Sequence, residues 1–158
     1  MDRRHALSLV GGFLLVPRSA LSATCALPTG GEQALADVTN LTNAFRSQRG
    51  LPSLELSSHL FEAAQNQACH MAATGRMSHT GTGGSGVGDR ATAAGYRWRF
   101  IAENVAEGYP DAHAVFEGWR TSPGHRDNML AQQARDLGLG VAAGGRRLYW
   151  AMVLGAPL

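Results

Sequence analysis

Trp119-Arg120-Thr121-Ser122-Pro123-Gly124-His125-Arg126-Asp127-Asn128-Met129-Leu130 is the stretch whose reading decides the fold. It joins two helices. Before it, Asp111 is placed to cap a helix whose inward face is Ala112, Val115, Phe116 and Trp119. Ser122-Pro123 then restarts the chain, with Ser as N-cap and Pro at the first helical position. That places His125 in the first turn of the new helix, where the positive end of the helix dipole disfavours imidazolium. A histidine kept neutral near pH 7 can ligate a metal or accept a proton. The plainer alternative is a structural histidine bonded to a backbone carbonyl.

Upstream of this stretch the pattern is helical. Thr29 and Glu32 are spaced as a capping box, and Leu35, Val38, Leu41, Thr42 and Phe45 repeat at helical spacing until Gly50 and Pro52. Ser57 or Ser58 can cap a second helix with Leu60, Ala63, Ala64, Ala68, Met71 and Ala72 inward, ended by Gly75. So many alanines imply close packing against a neighbouring helix or sheet. Residues 75–88 hold six glycines and read as a loop. The GxGxxG from Gly81 to Gly86 lacks the preceding strand that a dinucleotide fingerprint needs. Residues 89–94 read as a short helix, and 96–105 as a lead into a strand. Downstream, residues 137–141 and 148–154 read as two strands joined at Gly144-Gly145 in a hairpin. Helices first and strands mostly last argue for one α+β domain.

Three polar residues sit oddly. His79 lies in the glycine-rich loop. Glu103 and Asn104 interrupt an apolar stretch, and a carboxylate there is costly to bury unless paired. The alternative for Glu103 is that it points outward from an edge strand. Two His and one Glu could form a divalent-metal site with an open position. His113 and Glu117 are four apart on a helix and read as a solvent-facing pair. His59 and His70 read as surface residues.

All 14 basic residues are Arg, which leaves no lysine for amine chemistry. Residues 1–23 read as a signal peptide: a charged start at Asp2-Arg3-Arg4-His5, an apolar run over 6–16, and small residues at 20–23. Arg3-Arg4 followed by Leu7 also suits a twin-arginine signal. The run is too short to span a bilayer. Its removal leaves residues 24–158 with eleven arginines and eleven acids, a neutral chain with no basic stripe for nucleic acid. Export to the periplasm or the cell exterior would make a Cys25–Cys69 disulfide natural. The alternative is a free, buried Cys69.

The 119–130 stretch closely resembles the W-x-x-S-P-G-H-R-x-N-[IM]-L signature of bacterial CAP-domain proteins, relatives of cysteine-rich secretory proteins. Glu103-Asn104-Val105-Ala106 resembles the family's G-E-N-[ILV]-A segment, and Ser78-His79 its S-H loop. The resemblance covers about residues 33–155. It implies a three-layer α-β-α sandwich with a central antiparallel sheet and a large open cleft. In many members two His and two Glu line that cleft, with divalent metal between the His residues. Carried over, these are His79, His125 and Glu103. The second Glu position is Ser122, which implies a less negative cleft and weaker metal binding. Ser122 would fix His125 by capping its helix, and Asn104 would bond backbone and orient Glu103. Arg126, Asn128 and Trp119 are expected to be structural.

The resemblance implies an exported, non-enzymatic module binding a small molecule, a lipid or an extracellular protein, with zinc as the expected metal on His79 and His125. A metal-dependent hydrolase or peptidase with Glu103 as base is the alternative. A cell-wall or matrix-associated structural protein is the third reading.

Overall fold

The computed structural model describes residues 25–158. The expected signal peptide lies outside the described residues. The elements, in chain order, are α1 (Gly31–Ser47), β1 (Glu55–Leu56), α2 (Ser58–Thr74), a 3-10 turn (Thr82–Gly84), α3 (Val87–Ala93), β2 (Trp98–Glu107), α4 (Ala112–Thr121), α5 (Pro123–Met129), β3 (Asp136–Gly144) and β4 (Arg147–Pro157). This is the expected α+β order. Among the described residues no helix is long and apolar enough to cross a membrane.

The four strands lie in the order β1-β3-β4-β2. β4 runs antiparallel to both β2 and β3. The sheet is nevertheless mixed, because the short β1 pairs with β3 in parallel. The three long strands form the expected antiparallel sheet, and β1 adds a parallel margin to it. Only Gly145 and Arg146 separate the last paired residues of the β3–β4 hairpin, and Gly145 takes the positive φ such a tight turn needs.

Strand alternation sends side chains to both faces, and each face is covered by helices. Leu137, Leu139, Val141, Trp150, Met152 and Leu154 meet α1, α4 and α5 in one apolar cluster. Ala142, Tyr149, Ala151, Val153 and Val105 meet α2 and α3 in the other. These are the three layers of an α-β-α sandwich. The α2 layer is exceptionally close. A Cβ on Gly138 would lie 2.0 Å from the Leu60 carbonyl carbon, and one on Gly140 would lie 2.6 Å from the Ala64 backbone. Glycines on β3 thus let the helix backbone rest directly on the strand, as the alanines of α2 anticipate.

Local caps agree with expectation in two cases and differ in two. The Ser57 hydroxyl accepts from Leu60 N–H, and the Asp111 carboxylate from Ala114 N–H. The Thr29/Glu32 box does not form: α1 begins after Gly30, in a left-handed conformation with no side-chain cap. Ser122 is the N-cap of α5 by position, but its side chain makes no capping bond. The anchoring of α5 comes from elsewhere, as described below.

Cys25 and Cys69 form a disulfide, with Cα atoms 5.9 Å apart. The alternative of a free Cys69 is thereby excluded. The bridge lays the N-terminal arm across α2 beside the outer edge of β3. There β1 has already ended, and Gln65 takes over: its amide donates to Val141 O and accepts from Val141 N–H, both at 3.0 Å.

Candidate functional site

The site forms over the outer edge of β2, which has no further strand beside it among the described residues. Glu103 belongs to the face of this strand that meets α2 and α3, and Asn104 to the face that meets α4 and α5. Each therefore organises a different layer, and the two layers meet at the edge.

On the first side, Glu103 is 6% exposed. Burial of a carboxylate demands partners, and both oxygens have one. Arg90, on α3, donates to Oε2 at 2.5 Å, and Oε1 lies 2.9 Å from His79 Nδ1. Arg90 also donates to His79 O and Ser85 O. From α2, the Gln67 amide donates to Ser78 O. The glycine-rich loop is thus held by its carbonyls at Ser78, His79 and Ser85. The His79 ring itself is exposed, with Nδ1 on Glu103 and Nε2 left over.

On the second side, the buried Asn104 amide donates to His125 O at 3.0 Å and accepts from Asn128 at 2.9 Å. Asn128 also donates to Glu103 O. Asn104 therefore positions His125 and α5, rather than the Glu103 carboxylate as the sequence reading had it. Arg46, fully buried on α1, holds the far end of α5 through Met129 O and Ala131 O. These bonds do what the Ser122 hydroxyl was expected to do. Trp119 is 1% exposed and donates to Val105 O, so it is a core residue, as expected.

His125 is half-buried, and its pKa lies below the ordinary histidine value. Burial is the larger cause, and the nearby His79 adds to it. The direction agrees with the sequence reading. The causes are desolvation and a neighbouring imidazole.

The structure therefore brings His79, Glu103 and His125 together and places Ser122 at the start of α5. It does not bring Asn104 to Glu103. His113 and Glu117 do not form the expected pair; Glu117 binds Arg120 in a bidentate ion pair instead. His59 bonds Ala94 O, and His70 lies against the Thr82 hydroxyl. Sequence reasoning missed Arg90 and Gln67. Arg90 carried a usable signal: with Val87 and Ala91 it lies on the inward stripe of α3, where an unpaired arginine would be costly.

The donor set does not fit a resident tetrahedral metal. Among the described residues no group of three or more His, Cys, Asp or Glu side chains is placed to hold a metal ion. Catalytic zinc takes three protein ligands, and here only two imidazoles are offered, because Glu103 is committed to Arg90 and to His79. The two imidazoles expected to hold the metal, His79 and His125, therefore have no third protein ligand beside them among the described residues.

A family model described as "CAP: Cysteine-rich secretory protein family" matches residues 39–154. The chain belongs to this family, and its fold is the family's SCP sandwich. It is 32% identical over 104 residues to "Uncharacterized membrane protein YlbC" of Bacillus subtilis strain 168, a match covering 66% of this chain and 30% of that protein. It is 26% identical over 124 residues to "Uncharacterized protein YkwD" of the same strain, covering 78% and 48%. A solved extracellular protein containing an SCP domain, from Bacillus anthracis strain Ames, superposes with a TM-score of 0.74 at 26% identity, over 79% of this chain and 41% of that one. The chain thus spans less than half the length of each of these relatives.

Proposed function

We propose that this is an exported CAP domain acting as a non-enzymatic binding module, with the surface around His79, Glu103, Ser122 and His125 as its ligand-contacting cleft. One observation carries the reading: both Glu103 oxygens are occupied, one by a buried arginine. A general base must be able to take a proton from substrate or water. This carboxylate instead serves as a strut that orients His79 and anchors Arg90. His79 Nε2 and the His125 ring then present two imidazoles to a ligand, with no nucleophile and assigned base between them. The occupant in this reading is a polar small molecule or an extracellular partner. Zinc reaching the pair would be held by two imidazoles and water, and so weakly. Export rests on the leader-like residues 1–23 and on the extracellular B. anthracis protein that shares the fold.

The test is calorimetric titration of residues 24–158 with zinc, beside a peptidase assay on unfolded casein with and without the metal. The expected result is weak, readily reversed zinc binding that His125→Ala abolishes, and no casein cleavage. Tight zinc binding with cleavage that Glu103→Gln abolishes would overturn the reading in favour of a metallohydrolase. Export is checked by fractionating cells: the protein should be found outside the cytoplasm, shortened near Ala23.

A further inference from the structure

A concave surface lies apart from the proposed ligand-contacting residues, where the start of β2 meets the turn between α5 and β3. It has a volume of about 660 Å³ and is lined by Arg99, Phe100, Gln132, Gln133 and Arg135. None of His79, Glu103 or His125 takes part. We propose that it binds a sugar carrying a carboxylate or phosphate group.

The chain without its leader is formally neutral, yet two guanidinium groups and no acid line this surface. Among the described residues neither Arg99 nor Arg135 forms an ion pair. The neighbouring Asp136 accepts a hydrogen bond from the Tyr96 hydroxyl at 2.6 Å, on the other side of the strand. Arg46 stands behind the same turn, bonded to Ala131 O and likewise without a carboxylate.

Trp98 pairs with Pro157 and Phe100 with Ala156, so Arg99 is the extra residue of a β-bulge. Bulges at sheet edges re-aim a side chain. Arg135 is pinned: its Nη1 donates to Gln132 O at 2.7 Å and Ala134 O at 2.8 Å. The rest of its planar fork remains for a bidentate contact to a carboxylate or phosphate.

Gln132 and Gln133 are exposed, and their carboxamides can each donate to and accept from vicinal hydroxyls. Phe100 is half-buried and presents part of an aromatic ring. An apolar ring, two amides and two arginines suit an anionic sugar better than a bare anion.

The experiment is calorimetry at low salt on residues 24–158 with trigalacturonate, glucose 6-phosphate, maltotriose, inorganic phosphate and hexaglutamate. One or both anionic sugars should bind, and which of them binds tells carboxylate from phosphate. Maltotriose should not bind, and Arg99→Gln should weaken the anionic sugar at least tenfold. Because Arg99 is exposed, that variant should keep the wild-type unfolding midpoint; Phe100→Leu should weaken binding as a second check. Absence of binding by both anionic sugars would overturn the proposal. So would equal affinity for phosphate or hexaglutamate, or undiminished binding in the Arg99→Gln/Arg135→Gln double variant. The cleft reading survives any of these outcomes, since His125→Ala leaves this surface intact.

Discussion

Glu103 is a carboxylate without a spare oxygen, and the residues around it depend on that. Removing Arg90 would leave a buried, uncompensated charge, which typically costs about 3–5 kcal/mol. Arg90→Met should therefore lower stability in urea denaturation by about that amount, and proteolysis within residues 75–88 should speed up as the loop loses its anchor. Glu103→Gln would strand the buried Arg90 guanidinium in the same way and turn one acceptor into a donor, so it should cost about as much. A negligible loss in both variants would contradict the strut role. His125 gives the pH counterpart. Its folded pKa is lowered by burial and then by His79, so between that value and the unfolded one, about 6.5, the unfolded chain binds more protons. Stability should rise with pH through this window and fall as pH drops through it, relative to His125→Gln. The NMR titration of the His125 ring should have its midpoint below about 6.5 and move upward in His79→Gln. At this scale the sequence showed which side chains were out of place but not what they touched. Glu103 stood out because carboxylates do not belong in apolar runs. Arg90 offered a weaker signal, its place beside Val87 and Ala91 on a seven-residue helix, which tells little until that helix is docked.

Among the elements, α2 and β3 are the tightest pair. Gly140 allows no Cβ without collision with the Ala64 backbone, and backbone cannot rotate aside as a side chain can. Gly140→Ala should destabilise by about 3 kcal/mol or more, at the upper end of overpacking costs. Gly145→Ala should cost about 1 kcal/mol, through its positive φ alone. Comparing the two unfolding midpoints tests whether β3 glycines matter for space or for conformation. Helix periodicity and strand alternation made these elements readable before the fold was known. β1 was not readable, because two exposed residues have no pattern. The capping of α5 was read wrongly for a related reason. A Ser-Pro pair announces where a helix starts, but what holds the helix is Asn104, Asn128 and Arg46, and two of those three lie far away in sequence.

For the whole molecule, the Cys25–Cys69 bridge closes a span of 44 residues. Loop-closure entropy for that length gives a stabilisation of about 2–4 kcal/mol. The Cys25→Ser/Cys69→Ser variant should show that loss in urea denaturation and should respond to dithiothreitol no further. An unchanged midpoint would mean that the arm contributes only locally. The two cysteines were legible as a pair from their number, whereas the surface they cover could be seen only once β3 was placed beside α2.

That surface is the bare flank of a strand. Among the described residues β3 has no strand partner on its outer side past Leu137, and Gln65 stands in for one by satisfying Val141 in both directions. An unoccupied strand flank is a template on which a second molecule can build. Gln65 and the tethered arm thus act as a selvedge, the finished border that keeps a weave from continuing, and so help the domain remain one molecule rather than the first unit of a fibre.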